Sequence, residues 1–305
     1  MPANYPEIWL GTVKRLFNSL IAAAWLDGIP EIAADVTTIN GGSATEKNII
    51  YVPSTTFAAE VLVNNTTYPI DVQEFEDDTI SLTLDKFQTK VTTLSDDQTK
   101  GSSYDKIVEV TKGHVEPLAQ TKYVKALHAI APQTNTARTP VILTTGDDDG
   151  TGRRRLTYDD LVRFKKAIDD TDCNPLGRRL VLCNDHWNDL LLDRKNFGDQ
   201  FINYKTGSVL EVLGFTFYQW IQTPKYTSAG AKVAFGAVAP AGSRAASVFF
   251  QKDNIGKKTG NTTQYFLKAE NNPRTQSNEL NYRHYFVAMP FLNEYIGAIR
   301  SASVA

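Results

Sequence analysis

The sequence predicts an α+β fold in which one long helix, one protruding β-hairpin and an N-terminal arm are joined to a mixed body. Three observations carry this. Residues 48–95 have strand texture broken by turn chemistry, 103–131 read as a single long helix, and the rest alternates short helices and strands before a strand-rich tail. With 305 residues and 42% apolar content, the chain can bury a sizeable core as one large domain or two smaller ones.

In the first segment Val13, Leu16, Phe17, Leu20, Ile21 and Ala24 recur at three-and-four spacing, the pattern of a short amphipathic helix. "DGIP" at 27–30 stops it, and "NGGSATEK" within 31–47 reads as an extended arm. "NIIYVPSTTFAAEVLVNN" and "TTYPIDVQEFEDDTISLTL" are then two extended runs around the turn-prone "VNNTT", a long hairpin whose Pro53 and Pro69 suit edge strands. Such a hairpin is marginally stable alone and needs something to lie on. Ile80, Leu82 and Leu84 alternate, and Phe87, Val91 and Thr93 follow on the opposite parity, which predicts a bulge or sharp twist near Asp85 and Lys86.

Ser102 and Asp105 have capping-box spacing, so a helix is expected from there to Ala131, where Pro132 ends it. Its apolar contacts are Ile107, Val110, Val115, Leu118, Tyr123, Leu127 and Ile130, and Pro117 should kink it, eased by Gly113. At 1.5 Å per residue such a helix is about 43 Å long, more than a compact enzyme domain usually contains. "LTYDDLVRFKKAIDD" is a second amphipathic helix with Thr157 and Asp160 at capping positions, "RRLVLCN" a short buried strand and "DHWNDLLLD" a helix. "GSVLEVLGFTFYQWI" reads as strands paired across Gly214, "AKVAFGAV" as another strand, and "ASVFFQK", "TQYFLKAE" and "LNYRHYFVAMPFLNEYIGAIRS" as the closing β segments.

Charge and motifs narrow the function. Thirty-two basic against 34 acidic residues leave a formal charge of −2, which gives no overall push toward nucleic acid or anionic membrane. The longest apolar run, "LIAAAWL", is far short of the ~20 residues that cross a bilayer. "MPANYPEIW" lacks the features of a signal peptide, so a protein made and kept in a cytoplasm is expected. Cys173 and Cys183 are too few for a disulfide scaffold, complete no zinc pattern, and are expected to be buried thiols. In "TTGDDDGTGRRR", Asp147 and Asp149 fit the first ligand positions of a calcium loop, but Thr151 and Tyr158 occupy later ones, so a solvated loop is the better account. The adjacent Arg153, Arg154 and Arg155 suit phosphate or a neighbouring subunit's carboxylates. "DNIGKKTGN" lacks the glycine spacing of a phosphate loop and reads as a hairpin turn. Among the dispersed histidines, His186 beside Asp185 and Asp189 is the single cluster worth testing as an acid/base site; capping and surface hydration explain it better. Asp96 and Asp97 sit where a connector needs solvation. No catalytic residue, metal or cofactor is expected.

In order, these elements resemble the major capsid proteins of tailed double-stranded-DNA bacteriophages, the Hong Kong 97-like fold. "PEIWLGTVKRLFNSL" resembles that family's N-terminal arm, "NIIYVPSTTF" through "DDTISLTLDKF" its extended loop, Ser103 to Ala131 its spine helix, and "NYRHYFVAMPFLNEYIGAIRS" its closing strands. "LTYDDLVRFKKAIDD", "RRLVLCNDHWNDLLLD" and "VLGFTFYQWIQTP" are similar to its axial domain. The resemblance implies an N-terminal arm at 1–47, an extended loop at 48–85, a peripheral domain at 86–133 and 246–305 with the spine helix at 103–131, and an axial domain at 134–245.

It further implies self-assembly into hexamers and pentamers of an icosahedral head, in the virion and built in the host bacterial cytoplasm, around non-specifically packaged double-stranded DNA. A separate scaffolding protein, a portal and decoration proteins would be partners, with no membrane. The short stretch before the first helix suggests either that separate scaffold or a maturation step. No Lys–Asn crosslink is matched. Near-neutral charge suits a wall past which DNA must slide. Arm and hairpin lack cores of their own, so Trp9, Leu16, Phe17, Leu20, Tyr51, Phe57, Tyr68, Phe75, Arg153, Arg154 and Arg155 are the expected inter-subunit contacts. Deleting residues 1–26 is expected to leave a soluble fold and abolish closed shells. The alternatives are an encapsulin-type nanocompartment shell and an enzyme with a dispersed site around Asp185, His186 and Asp189.

Overall fold

The computed structural model describes residues 23–32, 49–54, 59–74, 78–95, 106–193, 202–203, 208–209 and 211–304. The helix read from Val13 to Ala24, apart from its last two residues, and the capping pair Ser102 and Asp105 lie outside them. The described chain opens with a 3-10 turn at Ala24–Leu26, followed by β1 (Ile49–Ser54), β2 (Asp78–Thr83), β3 (Asp85–Gln88) and β4 (Thr92–Ser95). The helix α1 (Lys106–Ile130) leads to β5 (Val141–Leu143), α2 (Tyr158–Asp169), β6 (Arg178–Leu182) and α3 (Asn184–Leu192). Then come β7 (Ile202–Asn203), β8 (Ser208–Val209), β9 (Thr216–Gln219), β10 (Lys225–Tyr226) and β11 (Arg244–Gln251). The long strands β12 (Ile255–Leu267) and β13 (Ser277–Pro290) and the short β14 (Ile296–Arg300) close the chain.

Two sheets organise these elements. One has the order β5-β14-β11-β6-β9, with β10 added beside β11; the other runs β12-β13-β3, with β4 also on β13. In the first sheet β14 and β5 run parallel, as do β6 and β9, and its remaining pairs are antiparallel. Its central strands are apolar at successive positions because both faces are covered. Val181, Val248 and Phe250 face a core shared with Trp25, Leu127, Ile130 and Trp220. Their neighbours Leu180, Leu182 and Phe249 face a second core with Leu161, Phe164 and Ile168 of α2 and Leu190 of α3. Phe249 meets Phe164 and Phe215 edge-on, with centroids 5.7 and 5.5 Å apart. Gly297 is required there: a Cβ would lie 2.9 Å from Phe164 Cζ.

α1 is continuous through Pro117, which lacks the N–H that would close the turn behind it. Among the described side chains of α1, Ala126, Leu127 and Ile130 of its last turns enter the core with Tyr123 packed against it, and Val115, expected to pack, is exposed. At α2 the anticipated capping box is present in both directions between Thr157 and Asp160. The two runs of the hairpin pair antiparallel as β1 and β2, from Ile49 opposite Thr83 to Ser54 opposite Asp78. The parity switch near Asp85 is a change of partner, since β2 pairs with β1 whereas β3 pairs with β13. A second break before β4 leaves Val91 and Thr93 exposed, against expectation.

Three further readings are corrected. "DNIGKKTGN" is no turn: it leads from a 3-10 turn at Lys252–Asn254 into β12, and the irregularity falls between Thr259 and Thr262. Gly260 is needed at that point because a Cβ would meet Tyr285 Cβ at 2.7 Å. "AKVAFGAV" contributes one bridge, Lys232 to Tyr226, and is otherwise not strand. Around Gly214 the flanking segments share, among the described residues, only the bridge between Val212 and Phe215, because β8 pairs with β7 and β9 joins β6. In each case the partner strand available in the fold, and not local propensity, decided the outcome.

Candidate functional site

β1 and β2 project the segment 59–74, which carries no strand and turns at Val63 and Asn64, the latter with φ 54°. Local hydrogen bonds shape it. Asn65 Oδ1 accepts from the Thr67 amide at 2.9 Å, its Nδ2 donates to the Thr67 carbonyl, and the Glu60 amide donates to Gln73 Oε1. No apolar cluster forms within it. Val61, Val63 and Val72 are 80%, 80% and 91% exposed, and Leu62, Tyr68 and Ile70 are exposed beside them. An apolar row on an extension with no core of its own marks an interaction surface.

The root of the extension is firm. Ile50, Leu82 and Leu84 pack with Tyr285 and Val287 of β13. Lys125 Nζ of α1 donates to Asp85 Oδ1 at 2.6 Å, tying β3 to the long helix. Beside it His284 is buried, with Nδ1 2.8 Å from Thr262 Oγ1 and Nε2 3.4 Å from Lys122 Nζ. Burial first, and then the Lys122 charge, lower its pKa to about 4.

The expected contact residues divide. Tyr51 and Tyr68 are exposed on the extension. Trp9, Leu16, Phe17, Leu20, Phe57 and Phe75 lie outside the described residues. Arg154 is exposed, with Nη1 3.3 Å from the Gly146 carbonyl, and Arg155 is half-buried. Arg153 needs correcting: it is buried, and its guanidinium grips Asp189 with two bonds of 2.7 and 2.9 Å while Nε donates to Asp149 at 2.8 Å. Asp189 also accepts from the Leu156 amide at 2.8 Å. The pair therefore anchors the acidic loop to α3 from inside. Removing one partner of a buried pair strands the other. Asp189→Asn is expected to cost about 3 kcal/mol, the low end of that range because Asp149 remains on Arg153, and denaturant titration reads it.

His186 is corrected as well. It does not sit hydrated at a helix start: it is fully buried, with Nδ1 2.7 Å from Ser247 Oγ and Nε2 2.9 Å from Ser301 Oγ. Asp189 is occupied by Arg153, so the three residues of the enzyme alternative do not converge on an open cleft. Burial lowers the His186 pKa to about 4; Arg153 adds to this, while Asp189 and Asp160 oppose it. The unfolded chain binds a proton near 6.5 and the folded chain does not, so stability is full above that value and falls as the pH drops toward 4. The contribution is on the order of 3 kcal/mol. Urea midpoints at pH about 7 and about 5 should differ in that direction, with about 2 kcal/mol of the difference from His186, and His186→Gln should remove roughly half of it because His284 carries a shift of the same size; equal midpoints in the parent would refute this. Asp160 acts at lower pH. Burial pushes its carboxyl up, but donors from Thr145 and Thr157 outweigh that and hold it below the ordinary value.

Both cysteines are buried free thiols, and burial raises both pKa values, that of Cys183 to about 11. Sequence reasoning missed the apolar row at 61–72; the signal was valines in a segment with turn residues and no strict alternation.

Comparisons with known proteins agree with this geometry. A family model described as "Phage capsid protein" matches residues 76–301. No curated protein matches the chain. Among solved structures, the capsid of the cyanophage P-SCSP1u is 14% identical, with a TM-score of 0.59, covering 100% of this chain and 96% of its own. The capsid of a native GTA particle gives 11% identity and a TM-score of 0.59 over 99% and 95%. The mature capsid of bacteriophage PhiM1 gives 15% and 0.56 over 83% and 81%. At these identities the likeness shows the fold, which is the Hong Kong 97-like α+β fold. With the family match spanning most of its length, the chain belongs to the phage capsid protein family.

Proposed function

We propose that this chain is the major capsid protein of a tailed double-stranded-DNA bacteriophage, assembling as hexamers and pentamers into an icosahedral head. The observation that carries the reading is the projecting segment 59–74, whose apolar side chains are exposed although the body behind it has complete cores. A second copy of the chain is the natural cover for such a row in a symmetric shell. Tyr51 and Tyr68 join that contact, and Trp9, Leu16, Phe17, Leu20, Phe57 and Phe75 are assigned to it on sequence pattern alone. The domain division at residues 47, 85, 133 and 245 belongs to the same reading. Packaged DNA would be bound non-specifically, with scaffolding, portal and decoration proteins as further partners and assembly in the host cytoplasm. The role is structural, without catalysis.

The test is light scattering coupled to size-exclusion chromatography on the purified chain, with large species viewed by negative-stain electron microscopy. Closed hollow particles, or discrete pentamers and hexamers, are expected. A chain that stays monomeric at high concentration, with crowding agents and with its scaffold would overturn the reading.

A further inference from the structure

A cleft of about 240 Å³ opens at one end of the larger sheet, where β5 and β14 finish and β11 begins, lined by Thr227, Ser228, Arg244, Arg300 and Ser303 among others. Strand register explains why two arginines meet there. Ala246 of β11 is paired with Arg300 of β14, and Arg244 lies two residues before Ala246, so the two side chains share a sheet face on a diagonal. Like charges so placed repel unless something between them is negative.

Nothing in the described chain supplies that charge. Neither arginine forms a salt bridge among the described residues; both are steered by neutral carbonyls instead. Arg300 Nη1 donates to the carbonyls of Thr227 at 3.3 Å and Ser228 at 3.2 Å. Arg244 Nη2 donates to the Thr151 carbonyl at 3.2 Å, while its Nε is buried without an acceptor among the described residues. A buried donor without a partner is unusual and calls for one. Burial lowers the Arg300 pKa, as it does where no nearby carboxylate offsets the loss of water. The turn behind Arg300 is built to fit: Gly230 has φ +90°, and a Cβ there would stand 3.4 Å from Arg300 Nη2.

Two guanidiniums oriented by backbone oxygens, with donor edges left over, form the geometry that pairs with planar or tetrahedral oxyanions. We propose that this cleft is an oxyanion site, taking a phosphate group or a carboxylate between Arg244 and Arg300. The site stands independently of the capsid reading, since it needs only the folded chain.

Titration of inorganic phosphate into the purified full-length chain, by calorimetry at constant ionic strength, tests it. One saturable site is expected. Arg244→Gln and Arg300→Gln should each weaken binding by about tenfold or more, as loss of a charge-assisted bond does. Arg138→Gln, at an exposed arginine paired with Glu294 away from the cleft, should change nothing. Should an arginine variant fail to fold, Arg300→Lys, which keeps the charge and removes the forked donors, should weaken binding too. Absence of saturable binding, or equal weakening by Arg138→Gln, overturns the proposal. Repeating the titration on assembled particles separates the sources. Retained binding identifies a free phosphate site, and binding lost on assembly identifies an occupant supplied by a neighbouring copy.

Discussion

Replacing Val61, Val63 and Val72 together with serine (Val61→Ser, Val63→Ser, Val72→Ser) is expected to abolish closed shells while leaving the unfolding midpoint of the free subunit unchanged. These side chains are largely exposed in the single chain, so their removal creates no cavity and strands no buried polar group. If a neighbour covers them, each valine contributes about 1.5 kcal/mol on burial. Three lost per subunit, repeated across every contact of a symmetric lattice, remove far more than a marginal association can spare. The readouts are the sedimentation profile and electron micrographs for assembly, and thermal unfolding of the dispersed chain for the fold. Normal shells from the triple variant would rule out the extension tip as the contact. A lowered midpoint would mean that the tip packs on its own body.

What was legible in the sequence follows from which interactions decide each element. Periodicity and capping chemistry are local, and so α2, β6 and α3 were readable: Thr157 and Asp160 cap each other whatever lies around them. The two hairpin runs were readable because turn residues divide them. Partner choice is not local. The parity change at Asp85 signalled a break but could not say that one strand belongs with β1 and the next with β13. The same ignorance made "AKVAFGAV" look like a strand and β12 begin as a turn. At the candidate surfaces the sequence marked Tyr51 and Tyr68 but placed Arg153 outside, because a run of three arginines carries no sign of which one faces the buried Asp189 thirty-six residues later. Arg244 and Arg300 were invisible, since only strand register brings them together.

Trp25→Ala should lower stability by about 4 kcal/mol, measured by denaturant unfolding, and this changes how the N-terminus must be dissected. Residues 23–32 fall within the expected N-terminal arm at 1–47, yet Trp25, Leu26 and Ile29 are in the core. Trp25 meets Trp220 and Phe250 edge-on at 5.8 and 6.1 Å, so alanine would leave a large void between α1 and the larger sheet. The backbone is held from both sheets at once. Arg179 of β6 donates to the carbonyls of Trp25 and Asp27 at 2.6 Å, while the Ile32 amide donates to Lys257 of β12 at 2.9 Å. Lys258 Nζ donates to the Ile32 carbonyl at 2.9 Å as well. This segment is therefore a clasp between two sheets, and deleting residues 1–26, expected to leave a soluble fold, should instead cost stability. A truncation beginning at Ala23 and one beginning at Asp27 should differ in stability by at least the cost of Trp25→Ala, because Leu26 and the two Arg179 bonds are affected too. If the two truncations unfold alike, the clasp contributes nothing. If they differ as expected, loss of shells in the longer deletion reports a damaged fold, and only the shorter one can test an arm that reaches a neighbour.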